Sequence, residues 1–149
     1  MESQVEQLRA VLIALPGGKL MLPNTTVSEI VTYAAPEAVD GKPNWYLGAI
    51  RWKGYRLPLV SFSAMAGWDP RESVAGAKVA ILKGLSGETR LPYFALLTQG
   101  FPRLVNIASD QLIDDPEHAS EFYSSAYLDN DAVAIPNLEA IERLIRDNL

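Results

Sequence analysis

The residue types able to do covalent or acid–base chemistry are few, and their spacing does not favour it. The single histidine, His118, lies among acids in a polar stretch, where an imidazole reads as a solvated surface group rather than a general base. There is no cysteine, which excludes a disulfide, a thiolate zinc site and a cysteine nucleophile, and one histidine would leave carboxylates to do most of any zinc ligation. Asp114-Asp115 and Asp129-Asn130-Asp131 offer hard oxygen donors. The second group, however, lacks the downstream glycine and the distal glutamate of a calcium loop, position 140 being alanine, so turn formation is the better reading. Pro16-Gly17-Gly18-Lys19 has neither the spacing nor the following Ser or Thr of a phosphate loop, and no G-x-S-x-G elbow is present. No metal and no cofactor is expected, and an enzyme would need an unmarked site, such as a hydrolase centre assembled from distant carboxylates.

What remains is the chemistry of binding. Arg51, Lys53 and Arg56 gather in one short run with Trp45, Tyr46, Trp52, Tyr55 and Phe62. Aromatics and arginine are enriched at protein interfaces, where they supply large area at little rotamer cost. Three of those five aromatics are expected in the core and the rest on a partly exposed face. Strand alternation sets Tyr46, Gly48, Ile50 and Trp52 on one side and Leu47, Ala49, Arg51 and Lys53 on the other. Asp110, Asp114, Asp115, Glu117 and Glu121 gather later, so two surface patches of opposite sign are expected.

The elements that would position these residues follow from pattern. Two apolar arms flank Lys53-Gly54, which reads as strand, tight turn and strand, with Gly54 supplying a positive φ. Pro58 cannot donate to a ladder, so the returning strand is expected at a sheet edge or with that amide position turned out of the pairing. Leu8 to Leu15 reads as a strand buried on both faces, Pro16 to Lys19 as a turn, and Leu20 to Leu22 as its hairpin partner. Val27 to Tyr33 reads as strand and 34–44 as a connecting loop. After the central hairpin, Phe62 to Gly67 suits one helical turn, and 68–76 a polar, mobile stretch. Lys78 to Lys83 and Pro92 to Thr98 read as paired strands, with Arg103 to Ile107 as a further one. Residues 109–126 read as a long acidic loop, and Tyr127-Leu128 with Ala132 to Ile135 as a last hairpin. At the end the period changes: Leu138, Ile141, Leu144 and Ile145 share one face of a helix, capped by Asn137.

At 149 residues the chain suits one domain, residues 1–149, with 1–7 frayed. Short strands punctuated by Gly and Pro indicate a mainly β barrel or sandwich. A net charge of -5 argues against a nucleic-acid partner, since phosphate binding draws on clustered Lys and Arg. The polar, acidic start lacks the basic region of a secretory signal, and no apolar run is long enough to insert in a membrane, so a cytoplasmic location is expected.

Leu47-Gly-Ala-Ile-Arg-Trp-Lys-Gly-Tyr-Arg-Leu-Pro-Leu-Val-Ser-Phe62 resembles the core motif of CheW-like domains, the adaptor modules of bacterial chemosensory arrays. The matching positions are Gly48, Ile50, Gly54, Pro58, Val60 and Phe62. Upstream, Pro23, Val27, Glu29 and Ile30 are similar to a second family segment. The resemblance implies two small SH3-like five-stranded β-barrel subdomains with a C-terminal helix. It implies a non-enzymatic adaptor that couples chemoreceptor cytoplasmic tips to the regulatory domain of a CheA-like histidine kinase, through contacts around Val27, Glu29, Ile30, Arg51, Lys53 and Tyr55. The chain departs from the family at Lys53, where arginine is usual, at Ser61, where aspartate is common, and in the second half. These departures resemble an accessory, ChpC-like member serving pilus-based twitching motility. A generic SH3-like interaction module, taking up polyproline on exposed aromatics, is the alternative binding class.

Overall fold

The computed structural model describes residues 7–68, 74–85, 87 and 90–149. The apolar run at the start forms β1 (Gln7–Leu15), so the expected frayed start is corrected at Gln7, which already pairs with Ala108. The rest of that expected start, and positions 69–73 of the expected mobile stretch, lie outside the described residues. β1 is apolar on both faces because its alternate residues serve two cores. Val11, Ile13 and Leu15 enter one, Ala10 and Leu12 another.

β1 returns antiparallel through β2 (Gly18–Pro23), and a 3-10 turn, Asn24–Thr26, leads to β3 (Val27–Thr32). β4 (Tyr46–Trp52) and β5 (Tyr55–Val60) form the central hairpin, followed by the short α1 (Phe62–Met65). β6 (Lys78–Lys83), β7 (Tyr93–Thr98) and β8 (Arg103–Ala108) come next, as expected. The expected acidic loop is corrected: it contains β9 (Leu112–Asp115) and the start of β10 (Tyr123–Leu128), whose ladder pairs Ile113 with Tyr127 and Leu112 with Leu128. Its polarity concealed a strand because only Leu112 is partly buried against a core. β11 (Asp131–Pro136) closes the last hairpin, and α2 (Leu138–Arg146) ends the chain.

The strands form two sheets, ordered β8-β1-β2-β11-β10-β9 and β3-β6-β7-β5-β4. This is the expected mainly β, two-part architecture with a C-terminal helix, the first sheet holding six strands because β9 joins it. The second sheet curls until its edges meet. β8 and β9, the edge strands of the first sheet, follow one another through the 3-10 turn Ser109–Gln111. In the second sheet Glu37, just past β3, exchanges two backbone hydrogen bonds with Ala49 of β4, N–H to O at 2.8 and 2.9 Å. That bridge seams the first and last strands of the sheet.

Pro58 is accommodated by the second of the two expected ways. β5 lies between β7 and β4, but counting outward from the Trp52–Tyr55 pair puts Pro58 opposite Ala49 at a non-hydrogen-bonded position. Its pairing with β7 begins only at Leu59.

The largest core lies between the sheets, where Val11, Ile13 and Leu20 meet Val60, Phe62, Leu82 and Leu96, and α2 adds Ile141 and Ile145. Each of those isoleucines is fully buried, which stabilises by about 1.5–3 kcal/mol. Asn137 caps the helix, its Oδ1 accepting the Ala140 N–H at 3.1 Å. Glu142 is buried as well, on a helix whose apolar face alone was foreseen. Among the described residues, no helix is long and apolar enough to cross a membrane.

Candidate protein-binding site

The tip of the β4–β5 hairpin is a two-residue turn with positive φ at both Lys53 (46°) and Gly54 (83°), the twist that suits two right-handed strands. Gly54 takes this conformation freely; Lys53 takes it at a cost of about 1–2 kcal/mol, which the turn imposes. Trp52 and Tyr55 flank the turn as a cross-strand pair with ring centroids 6.3 Å apart. Tyr93, the first residue of β7, meets both rings edge to face, at 4.9 Å from Trp52 and 5.1 Å from Tyr55. The Lys53 ammonium sits 5.1 Å from the centre of a Trp52 ring, within cation–π range. Tyr55 is 42% exposed, so the cluster has an open side.

Glu29 reaches this tip from β3, at the opposite edge of the sheet. Its Oε1 accepts the Trp52 Nε1–H at 3.2 Å and lies 3.5 Å from Lys53 Nζ. The contact exists only because the sheet is curled and seamed. A bulge between Val27 and Glu29 sets the rest of the strand. Strict alternation would put Val27 on the same side as Glu29, and the extra residue turns it to the side of Ile30. Val27 and Ile30 accordingly rest, half buried, on the core between the sheets. Arg51, next along β4, donates from Nε to Glu37 Oε1 at 3.3 Å beside the seam.

The structure thus brings together Glu29, Lys53 and Tyr55, places Arg51 one ion pair away, and sets Val27 and Ile30 on the neighbouring core surface. The expected basic patch is tempered: Lys53 and Arg51 are matched by Glu29 and Glu37, while Arg56 has no ion-pair partner among the described residues. Exposed pairs of this kind contribute about 0–1 kcal/mol, so a partner's charges can replace them at little cost. Burial pushes the Tyr46 phenol above the ordinary tyrosine value, against the opposing effect of the Arg56 charge. Of the five aromatics, Trp45 and Phe62 are buried, while Tyr46 and Trp52 are half buried against cores.

His118 is exposed, its Nδ1 2.7 Å from Asp115 Oδ2, and no cluster of described residues could hold a metal ion. Sequence reasoning missed Tyr93 and Glu37. Tyr93 joins the site through the parallel pairing of β5 with β7, which no local pattern announces. Glu37 lies in a loop with no periodicity.

Residues 9–145 match the family model of the CheW-like domain. Among solved structures, the scaffolding protein TtCheW from Thermoanaerobacter tengcongensis superposes with a TM-score of 0.75, over 89% of this chain and 90% of that one, at 18% identity. No curated protein matches the chain.

Proposed function

The chain belongs to the CheW-like domain family, and from that premise we propose that it is a non-enzymatic, cytoplasmic adaptor that couples chemoreceptor tips to the regulatory domain of a CheA-like histidine kinase. Its mechanism is binding alone: simultaneous contacts hold receptor and kinase in register, and the effect on signalling is a coupling free energy between the two sites. The observation that carries this reading is the hairpin tip, where Lys53, Tyr55 and Glu29 combine an exposed aromatic with exchangeable charge. Val27, Ile30 and Arg51 extend that contact surface. Lys53 keeps the charge of the arginine usual in the family without its planar fork, which favours a single carboxylate contact over a bidentate one. The departures at Lys53, at Ser61 and in the second half support an accessory place in a pilus-based system.

The test is calorimetric titration against a receptor-tip fragment and a kinase regulatory domain from the same genome. Lys53→Glu is expected to weaken binding about tenfold. The swap Lys53→Glu with Glu29→Lys restores the internal pair but not the surface charge pattern, and is expected to leave binding weak. Absence of binding to both partners by the folded protein would overturn the reading.

A further inference from the structure

The loop between β7 and β8 pushes Phe101 into solvent, 78% exposed, yet the loop itself is tied down. Gln99 donates its N–H to the Ala14 carbonyl at 3.1 Å. The buried Thr98 hydroxyl lies 2.8 Å from Gly100 O and 3.2 Å from Lys78 O. Lys78 Nζ stands 4.5 Å from the centre of the Phe101 ring. Phe101 thus presents a large apolar face at the surface from an anchored loop.

Beside it opens a cavity of about 250 Å³ lined by Leu12, Ala14, Lys19, Phe101, Arg103 and Asp131. Register explains the set. Lys19 on β2 lies opposite Ala14 on β1, and Arg103 on β8 opposite Leu12, so three adjacent strands present these residues on one face. Lys19, Lys78 and Arg103 have no ion-pair partner among the described residues, and Asp131 is the one acid in the lining. On a chain of net charge -5 this is a local excess of cations around an apolar ring.

We propose that this mouth is a second protein-binding site, which takes an acidic segment of a partner, its carboxylate held by Arg103 and Lys19 and an adjacent apolar side chain laid on Phe101. Arginine and carboxylate match in geometry. The exposed ring argues for a peptide segment over a free anion, because only an apolar neighbour gains from covering it. The cavity opens beside the Thr98 end of β7 and the hairpin tip packs on Tyr93 at its other end, so the two surfaces are separate. It goes beyond the adaptor reading and does not depend on it.

The experiment measures fluorescence anisotropy of the full chain with two short labelled peptides, one alternating Glu and Phe, the other Lys and Phe, at low and moderate salt. The net charge of the chain opposes the acidic peptide, so a preference for it reports a local site. Wild type is expected to bind the acidic peptide in preference, more weakly as salt rises. Arg103→Glu is expected to weaken binding about tenfold and Phe101→Ala several-fold, while Asp131→Asn tightens it. Lys53→Glu, on the other surface, is expected to leave it unchanged. All four positions are exposed, and thermal melts check that each variant folds. The proposal is overturned if the acidic peptide does not bind, if Arg103→Glu binds as wild type, if Asp131→Asn loosens binding, or if Lys53→Glu abolishes it. Displacement of the peptide by anionic vesicles with equal loss in Phe101→Ala would assign the surface to membranes and overturn it too.

Discussion

Gly48 is the position where the seam of the second sheet can be tested alone. Its φ is 143°, and a Cβ there would lie 2.5 Å from the Glu37 carbonyl oxygen and 2.9 Å from Pro36 Cβ. That oxygen accepts the Ala49 N–H, so Gly48→Ala must displace the segment that makes both bridge hydrogen bonds. Each contributes about 1 kcal/mol net, and holding alanine at such a φ costs about 1–3 kcal/mol more. The expected loss is therefore about 3–5 kcal/mol, read from urea unfolding at constant m-value, or as a fall in Tm of about 2–4 °C per kcal/mol. Gly54→Ala is the control. It also has positive φ, at 83°, but nothing stands within 4 Å of its Cβ, so strain alone applies and the cost is about 1–2 kcal/mol. If the two variants lose equal stability, the seam contributes nothing and the contact of Glu29 with the hairpin tip needs another cause. If the reasoning holds, Gly48→Ala also weakens partner binding at the tip, while its own side chain is remote from the Lys53 apex.

Glu142, 1% exposed on α2, places both carboxylate oxygens 3.0 Å from the Leu85 amide, among its other contacts, and so fastens the β6–β7 loop to the helix. Glu142→Gln is expected to cost about 1–2 kcal/mol and to speed hydrogen exchange at the Leu85 amide; unchanged exchange there would refute the anchoring. Tyr46 titrates above an unfolded tyrosine, so the unfolded chain ionises first as pH rises. The stability that its neutral phenol contributes is whole below about pH 10 and is lost as pH rises through the folded value. Tyr46→Phe is expected to flatten the alkaline limb of the stability curve, and an unchanged slope would assign that limb to other groups.

The strands that sequence located best are those whose period is enforced by two cores. β1, β6 and β7 place alternate residues in the central core and in an inner one, so their runs are continuously apolar and bounded by turn residues. β9 escaped because an edge strand needs only one inward residue, here Leu112, and the acids around it carry no period. The two hairpin tips were legible from Lys53-Gly54 and from Asp129-Asn130, both of which adopt the positive φ that a tight turn demands. Glu142 was not legible, since helical periodicity separates apolar from polar faces and says nothing of a carboxylate sent inward to meet a backbone amide.

The site divides along the same line. Arg51, Lys53 and Tyr55 stand next to one another in the chain, so a local reading could group them and assign them to an exposed turn. Their partners, Glu29, Glu37 and Tyr93, reach them only through sheet closure and through the parallel ladder between β5 and β7, which are long-range facts. The consequence is chemical as well as geometric. Read locally, the hairpin is a basic patch; closed by the seam, two of its three cations, Arg51 and Lys53, are matched by acids beside three rings. A patch of unmatched cations would attract any anion, whereas exposed pairs worth about 0–1 kcal/mol are exchanged at little cost for a partner's own charges. The meeting of Glu29 with Trp52 and Lys53 therefore depends on the curl of the sheet, which the bridge between Glu37 and Ala49 closes.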